Sequence, residues 1–517
     1  MKKLQIKEKT ERRVSAGLRL VLVAVLLVLQ IAVVMVLSMV LQQRMAIVYT
    51  ALELLAIIVA IRVYTRPGSS SYKTGWALLI LALPVAGLIL YMLWNGNPKR
   101  RSALRSVPYP PENEERRSRD AAVLKTMAEQ LPQWSPLASY GVSHGFAVYG
   151  NTDWEYLGTG EAHLEHMLNA MEKAEKFIFM EYYIVTRGEL FDRLVDIFRR
   201  KRSEGVEIKL IFDDFGSMMR FGSEEVGLLR RMGVEVRVFN PVHQYVNRIY
   251  FNFRNHRKIT CIDGHIAYTG GVNIADEYAN LIERFGYWKD CGVCLTGEGA
   301  WGLTREFLRM WERMGGKLER SYDEYRPQLT AAGEGYCQPF ADGPDNNPLN
   351  PAEDIFLHLI NRARHTLRIT SPYLAIDEPM IRALCMAGDS GVKVQLMMPG
   401  IPDHKFAYLV AESYFGELMR HGVEVYTFTP GLLHGKTVLA DEEAAVVGTV
   451  NMDYRSFHLH YECGTVLYGE KVRKMGLKED MDEIIARSRR VTMGAWKARP
   501  LMRKAVGTFL RLFAMWM

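Results

Sequence analysis

The 517-residue sequence predicts an α/β fold: two duplicated α/β units with mostly parallel sheets, joined as one body about a pseudo-twofold axis and preceded by N-terminal transmembrane helices. Three observations carry this expectation. Nearly all uninterrupted apolar sequence lies before residue 95. Beyond residue 137 the chain repeats itself. Each copy also contains one polar skeleton (His, any residue, Lys, four residues, Asp), as NHRKITCID at 255–263 and LHGKTVLAD at 433–441.

Residues 1–98 read as the membrane region. Leu20 to Leu41 is long enough to cross a bilayer and carries no charge. It is too long for a cleaved signal peptide, and no small-x-small site follows it. Met45 to Tyr64 makes a weaker span, interrupted by Glu53 and Arg62. Trp76 to Trp94 has tryptophan at both ends, as expected at a membrane interface, and Pro84 and Gly87 are tolerable within such a helix. Basic residues at 2, 3, 7, 9, 12 and 13 precede the first run, and Lys99, Arg100, Arg101 and Arg105 follow the third. Both clusters ask for the cytoplasmic side, which two crossings satisfy and three do not.

Residues 99–136 are proline-rich and then charged, a linker. A first unit over 137–330 and a second over 331–490 share one order: helix, strand, helix, GV-strand, helix, GVEV-strand, His-Lys-Asp strand. LLRRMGVEVRVFNP at 228–241 recurs as ELMRHGVEVYTFTP at 417–430, and GVEIKLIF at 205–212 as GVKVQLMM at 391–398. TGGVN at 269–273 matches VGTVN at 447–451, and DCGVCLTG at 290–297 matches ECGTVLYG at 462–469. The first copy has an extra loop over 242–255, rich in Tyr, Phe and Arg and expected to border the site.

On a strand, residues two apart share a face, so His256 projects with Lys258 and His434 with Lys436. Asp263-Gly264 is a hairpin-turn signal; Asp263 and Asp441 read equally as turn-shaping or as chemical groups. Two imidazoles and two ammonium groups meeting across a pseudo-twofold axis form an anion site with two proton-transfer groups. That suits phosphate-ester chemistry. The lysines neutralise non-bridging oxygens, and Asn273 and Asn451 can add neutral donors. One histidine attacks phosphorus, giving a phosphohistidine; the other protonates the leaving alcohol and deprotonates the acceptor. Asp290 and Glu462, at matching positions of the repeat, are candidates to hold the far nitrogens of the histidines. No metal or other cofactor is called for.

At these residues the chain resembles the phospholipase D superfamily, whose two H-x-K-x4-D motifs both stand intact here over roughly residues 135–490. The membrane front end, PVAGLILYMLWNGN at 84–97, MEYYI at 180–184, FNFRNHRKI at 251–259 and YWKD at 287–290 make it similar to bacterial cardiolipin synthases. The resemblance implies phosphatidyl transfer between two phosphatidylglycerol molecules, giving cardiolipin and glycerol at a bacterial plasma membrane, on its cytoplasmic face. It implies His256 as nucleophile and His434 as acid/base, an assignment that pseudo-symmetry makes reversible. The additional N-terminal run departs from the two-helix hairpin commoner in that family. Another phospholipase D-type hydrolase, a headgroup transferase such as a phosphatidylserine synthase, and a non-catalytic lipid-binding protein are the alternatives. Nothing in the spans serves a nucleic acid.

Composition agrees with work at a lipid surface. The net charge of +7 fits anionic phospholipid. Six cysteines in so long a chain are no disulfide framework, and Cys291 and Cys294 read as packing residues. The basic segment 491–517, with recurring apolar residues, fits either an interfacial amphipathic helix or a helix packed on the body.

Overall fold

The computed structural model describes residues 25, 28–30, 32–33, 44–94, 104–109, 114–218, 220–241, 253–327, 333–346 and 349–514. Two units emerge: one of residues 1–102, 240–253 and 347–349, the other of the remaining chain. The first apolar run and the loop at 242–252 lie almost wholly outside the described residues.

In the first unit, α1 (Arg44–Tyr64) is an unbroken helix. Its stretch Ile47–Tyr64 is, among the described residues, the one helix long and apolar enough to cross a membrane. The run that sequence ranks weaker is therefore continuous, in contrast with the third. The third run departs from expectation: it forms α2 (Ser70–Ala82) and α3 (Pro84–Trp94), not one span. Proline removes an N–H and drives the preceding residue out of helical geometry, and Leu83 sits at φ −133°, ψ 74°. The break frees the Ala86 N–H, which donates to the buried Gln30 side chain at 3.0 Å.

The second unit contains the repeat. Its first sheet comprises β1 (Thr152–Leu157), β2 (Phe177–Tyr182), β3 (Glu207–Asp213), β4 (Glu235–Phe239), β6 (Ile259–Ile262), β7 (Ile266–Gly270) and β9 (Gly292–Gly297), in the order β1-β9-β7-β6-β2-β3-β4. The second comprises β10 (Tyr336–Asp342), β11 (Thr366–Thr370), β13 (Lys393–Pro399), β14 (Glu424–Phe428), β16 (Thr437–Ala440), β17 (Ala444–Gly448), β19 (His460–Tyr468) and β20 (Ser488–Arg490). It runs β10-β19-β17-β16-β11-β13-β14-β20. The seven strands of the first order match the first seven of the second, which adds β20 at its edge, so the duplication is one of topology as well as of sequence.

The sheets are mixed, which corrects the expectation of mostly parallel strands. Along these two strand orders only β2-β3-β4 and β11-β13-β14 are parallel. Those strands are joined by helices: α4 (Glu189–Ser203) and α5 (Ser223–Arg231) in the first half, α6 (Glu378–Asp389) and α7 (Lys405–Arg420) in the second. Strands β6 and β7, and β16 and β17, are joined by tight turns, and such short connections permit only antiparallel pairing. The turn after β6 places Asp263 and Gly264 at φ 52° and 79°; after β16, Asp441 and Glu442 take φ 53° and 57°. The left-handed conformation thus recurs even where glycine does not.

Each half packs helices against its own sheet, giving separate clusters around Leu194 and Phe198 in one and Leu384 and Phe415 in the other. A third cluster joins the halves: Phe179, Cys261 and Leu295 of the first sheet share a core with Met397, Leu439 and Cys463 of the second. Strands β2 and β3, buried along their whole length, read as continuous apolar runs for this reason. All six cysteines are free and buried.

Candidate active site

The His-x-Lys triplets sit where the chain changes partner. Just before His256, the short strand β5 (Arg254–Asn255) pairs in parallel with the start of β19 from the opposite half, Arg254 to His460 and Asn255 to Tyr461. Just before His434, β15 (Gly431–Leu433) pairs in parallel with β8 (Tyr287–Lys289) of the first half, Leu433 to Lys289. Advancing each register by one residue sets His256 opposite Glu462 and His434 opposite Asp290. The backbones confirm the equivalence: His256 N donates to Tyr461 O at 2.9 Å and His434 N to Lys289 O at 2.7 Å.

The side chains complete the crossed pairs. His256 Nδ1 lies 2.9 and 3.0 Å from the two Glu462 oxygens. His434 Nδ1 lies 2.6 Å from Asp290 Oδ2. Both carboxylates are fully buried. A proton on Nδ1 leaves each Nε2 as the ring's lone-pair nitrogen, the one in His434 lying 3.0 Å from Lys436 Nζ. Each lysine folds onto its own motif: Lys258 Nζ donates to His256 O at 2.6 Å, while Lys436 Nζ donates to His434 O and lies 2.9–3.0 Å from its ring nitrogens.

Crowding of buried charge shapes the titration. Burial, then Lys258, Lys436 and His434, hold the His256 imidazole well below its usual range, so it is neutral at pH 7. Burial and Lys436 lower His434, with Asp290 opposing them. Burial alone would raise Asp290, but His434 and Lys436 outweigh it and hold it below the ordinary carboxylate value. Burial, the largest influence, brings Lys258 down to about 7 and lowers Lys436 as well.

Not every motif residue joins this group. The Asp263 carboxylate accepts the backbone N–H groups of Glu175, Lys176 and Phe177 at 2.7–2.8 Å. Asp441 does the same for Arg364, His365 and Thr366 at 2.8–3.0 Å, and accepts from Gln133. Both therefore tie the chain entering β2 and β11 to the far end of the motif strand, away from the histidines. Asn273 is engaged too, accepting from Ile184 N and donating to Tyr278 Oη at 2.7 Å; Asn451 donates to Ser456 Oγ at 3.2 Å.

Several site residues escape the sequence reading. Tyr183 stands edge-on to His256, ring centres 5.1 Å apart, with Lys258 Nζ 5.6 Å from its ring. Tyr278 and Trp288 flank His434 at 5.4 and 5.3 Å. Tyr183 and Trp288 lie inside MEYYI and YWKD, so those strings signalled the aromatic walls without revealing their role. Thr449 donates its hydroxyl to Glu462; its counterpart Gly271 leaves room for Asp290, since a Cβ there would lie 2.0 Å from Oδ1. His256, His460 and Glu462 bring three donor atoms close enough to share a cation. Both Glu462 oxygens are already engaged, however, and Lys258, Lys436 and Arg455 add positive charge around the cluster.

Two equivalent α/β halves, each contributing one acid-held imidazole and one buried ammonium group to a shared centre, define a phosphodiester-transfer class of protein. The family profile described as "Cardiolipin synthase, PLD-like domain" matches residues 167–284 and 356–484, and "Phospholipase_D-nuclease N-terminal" matches 54–94. A cardiolipin synthase of Alkalihalophilus pseudofirmus is 32% identical over 446 residues, covering 85% of this chain and 88% of that protein. One from Clostridium perfringens is 30% identical, covering 84% and 92%. The crystal structure of phosphatidylserine synthase from Haemophilus influenzae shares the fold at TM-score 0.55 and 14% identity, over 74% of this chain and 100% of that one. The chain belongs to the cardiolipin synthase family of the phospholipase D superfamily.

Proposed function

We propose that the protein is a membrane-bound phosphatidyltransferase that converts two phosphatidylglycerol molecules into cardiolipin and glycerol. The crossed His256–Glu462 and His434–Asp290 pairs carry the reading. His256 Nε2 attacks the phosphorus of the first lipid, and the P–O bond to the headgroup glycerol breaks. His434 supplies the proton that this glycerol takes away. The terminal hydroxyl of a second phosphatidylglycerol gives its proton to His434 and attacks the phosphohistidine, and the P–N bond breaks. Lys258 and Lys436 hold the non-bridging oxygens, and the bound anionic phosphodiester favours the protonated form of His434. Asp263 and Asp441 act through the backbone, and Asn273 and Asn451 shape the walls.

His256 is given the nucleophile's role, its imidazole kept neutral by burial and by Lys258 and Lys436, and the pseudo-symmetry of the site makes the two roles exchangeable. The catalytic body, residues 137–490, works at the cytoplasmic face of the bacterial plasma membrane, anchored by α1 and by the apolar segments on either side of it. Anchoring favours transfer over hydrolysis by concentrating the lipid acceptor beside the phosphohistidine.

The test is incubation of purified protein with phosphatidylglycerol vesicles, following lipid products and free glycerol. Cardiolipin with equimolar glycerol is expected. Phosphatidic acid alone would make it a hydrolase, and phosphatidylserine formation on adding serine a different headgroup transferase.

A further inference from the structure

The C-terminal helix α8 (Leu501–Arg511) packs Leu510 against the core of the second half yet carries a further apolar side that the body does not cover. Its packed side carries Gly507, where a Cβ would come within 2.7 Å of the Leu409 carbonyl of α7. The same side is fixed by charge. Arg503 donates from Nε and Nη2 to Glu412 at 2.7 and 2.9 Å, and Arg511 reaches Glu417 at 3.3 Å. Leu501, Met502 and Phe509, and Leu512 just beyond the helix, are 81, 75, 60 and 56% exposed. At 3.6 residues per turn these four side chains fall within one arc of about 100° opposite Gly507.

We propose that this outward face docks into the surface of an anionic phospholipid bilayer, with the apolar arc among the acyl chains and the surrounding cations against the headgroups. Charge complementarity selects the occupant. From Arg487 to the end the sequence has eight cations and no carboxylate side chain. Arg487, Arg490, Arg499, Arg503 and Arg511 pair with glutamates that precede the segment, and Arg489, Lys497 and Lys504 have no carboxylate partner among the described residues, leaving net positive charge for the headgroups. A second copy would bring the same positive charge against itself. The spanning-length helix α1 keeps a bilayer within the chain's own reach. Docking there also bears on the site, because α7 begins two residues after Asp403, whose charge reaches His434. The proposal goes beyond the transfer reaction and does not depend on which phospholipid reaction the site performs.

The test attaches a nitroxide to Phe509→Cys in the full-length chain, whose natural cysteines are all buried. A label at exposed Lys173→Cys in the first half is the control. In phosphatidylglycerol vesicles the 509 label is expected to become accessible to oxygen and protected from a water-soluble nickel chelate, with the opposite pattern at 173. Phosphatidylcholine vesicles should weaken that protection. A Leu512→Cys reporter should lose it when Leu501→Glu and Met502→Glu are added on the outward arc. Chelate access at 509 in phosphatidylglycerol vesicles equal to that at 173 overturns the proposal. So does label–label broadening in detergent, which would make a second copy the occupant.

Discussion

Replacing Glu462 by glutamine tests the crossed pairing with little change of shape. In the native site the carboxylate faces His256 Nδ1 at 2.9–3.0 Å and also receives the Thr449 hydroxyl. When Nε2 attacks phosphorus, the ring becomes cationic with its proton on Nδ1. With charge centres roughly 4 Å apart and an effective dielectric constant of about 20, the lost attraction is about 4 kcal/mol. At about 1.4 kcal/mol per tenfold, that corresponds to roughly three orders of magnitude in the rate of phosphohistidine formation. The glutamine amide can also donate to Nδ1 and so favour the tautomer with a blocked Nε2, which acts in the same direction. Initial glycerol release from phosphatidylglycerol vesicles should fall by about that factor, with little change in the lipid concentration needed for half-maximal rate. Glu462→Gln turning over at near wild-type rate, while His256→Ala is inactive, would refute the role given to the pair.

Lys258, brought down to about 7, should lose its charge as pH rises through that value, so kcat/KM of the free enzyme should decline on the alkaline side. The linkage has the opposite sign for stability. Between about 7 and the ordinary lysine value of 10.5 the unfolded chain binds more protons, so resistance to unfolding should rise with pH. Lys258→Met should flatten that rise in detergent melts while abolishing turnover. Asp263→Ala and Asp441→Ala each free three backbone N–H groups and should cost about 1–3 kcal/mol of stability; a lower melting temperature with kcat of the folded fraction nearly intact would show that the motif aspartates act on the backbone. Gly271→Thr places atoms where Asp290 sits, so activity should drop while Thr449→Gly, which only removes a donor, is milder; equal activities would contradict the steric argument.

Much of the centre was legible because the repeat could be compared with itself. Aligning DCGVCLTG with ECGTVLYG was enough to single out Asp290 and Glu462. The crossing of the pairs was not legible, since it depends on which strand ends meet, and β5 and β8 are two- and three-residue strands with no pattern of their own. The sheet type was misjudged for a related reason. Helical connections dominate the alternation seen in sequence, but the turns at Asp263 and Asp441 reverse the chain, and the remaining antiparallel pairings join strands distant in sequence. Pro84 was visible, yet whether a proline kinks or splits a helix depends on neighbours such as Gln30, which finds the freed N–H. Tyr278 had no signal, because a lone tyrosine in a polar turn looks like any other.

The crossing of acids and histidines changes what the two repeats can become. After a duplication, one copy is ordinarily free to drift once the other suffices. Here a chain with His256→Ala and Glu462→Ala, one lesion in each repeat, retains one complete pair. A chain with His256→Ala and Asp290→Ala, both lesions in the first repeat, retains none. Under the proposed two-histidine reaction both chains would lack the attacking imidazole, so a lesion in either repeat would stop the one reaction that the two share. Selection on this chain acts on the join.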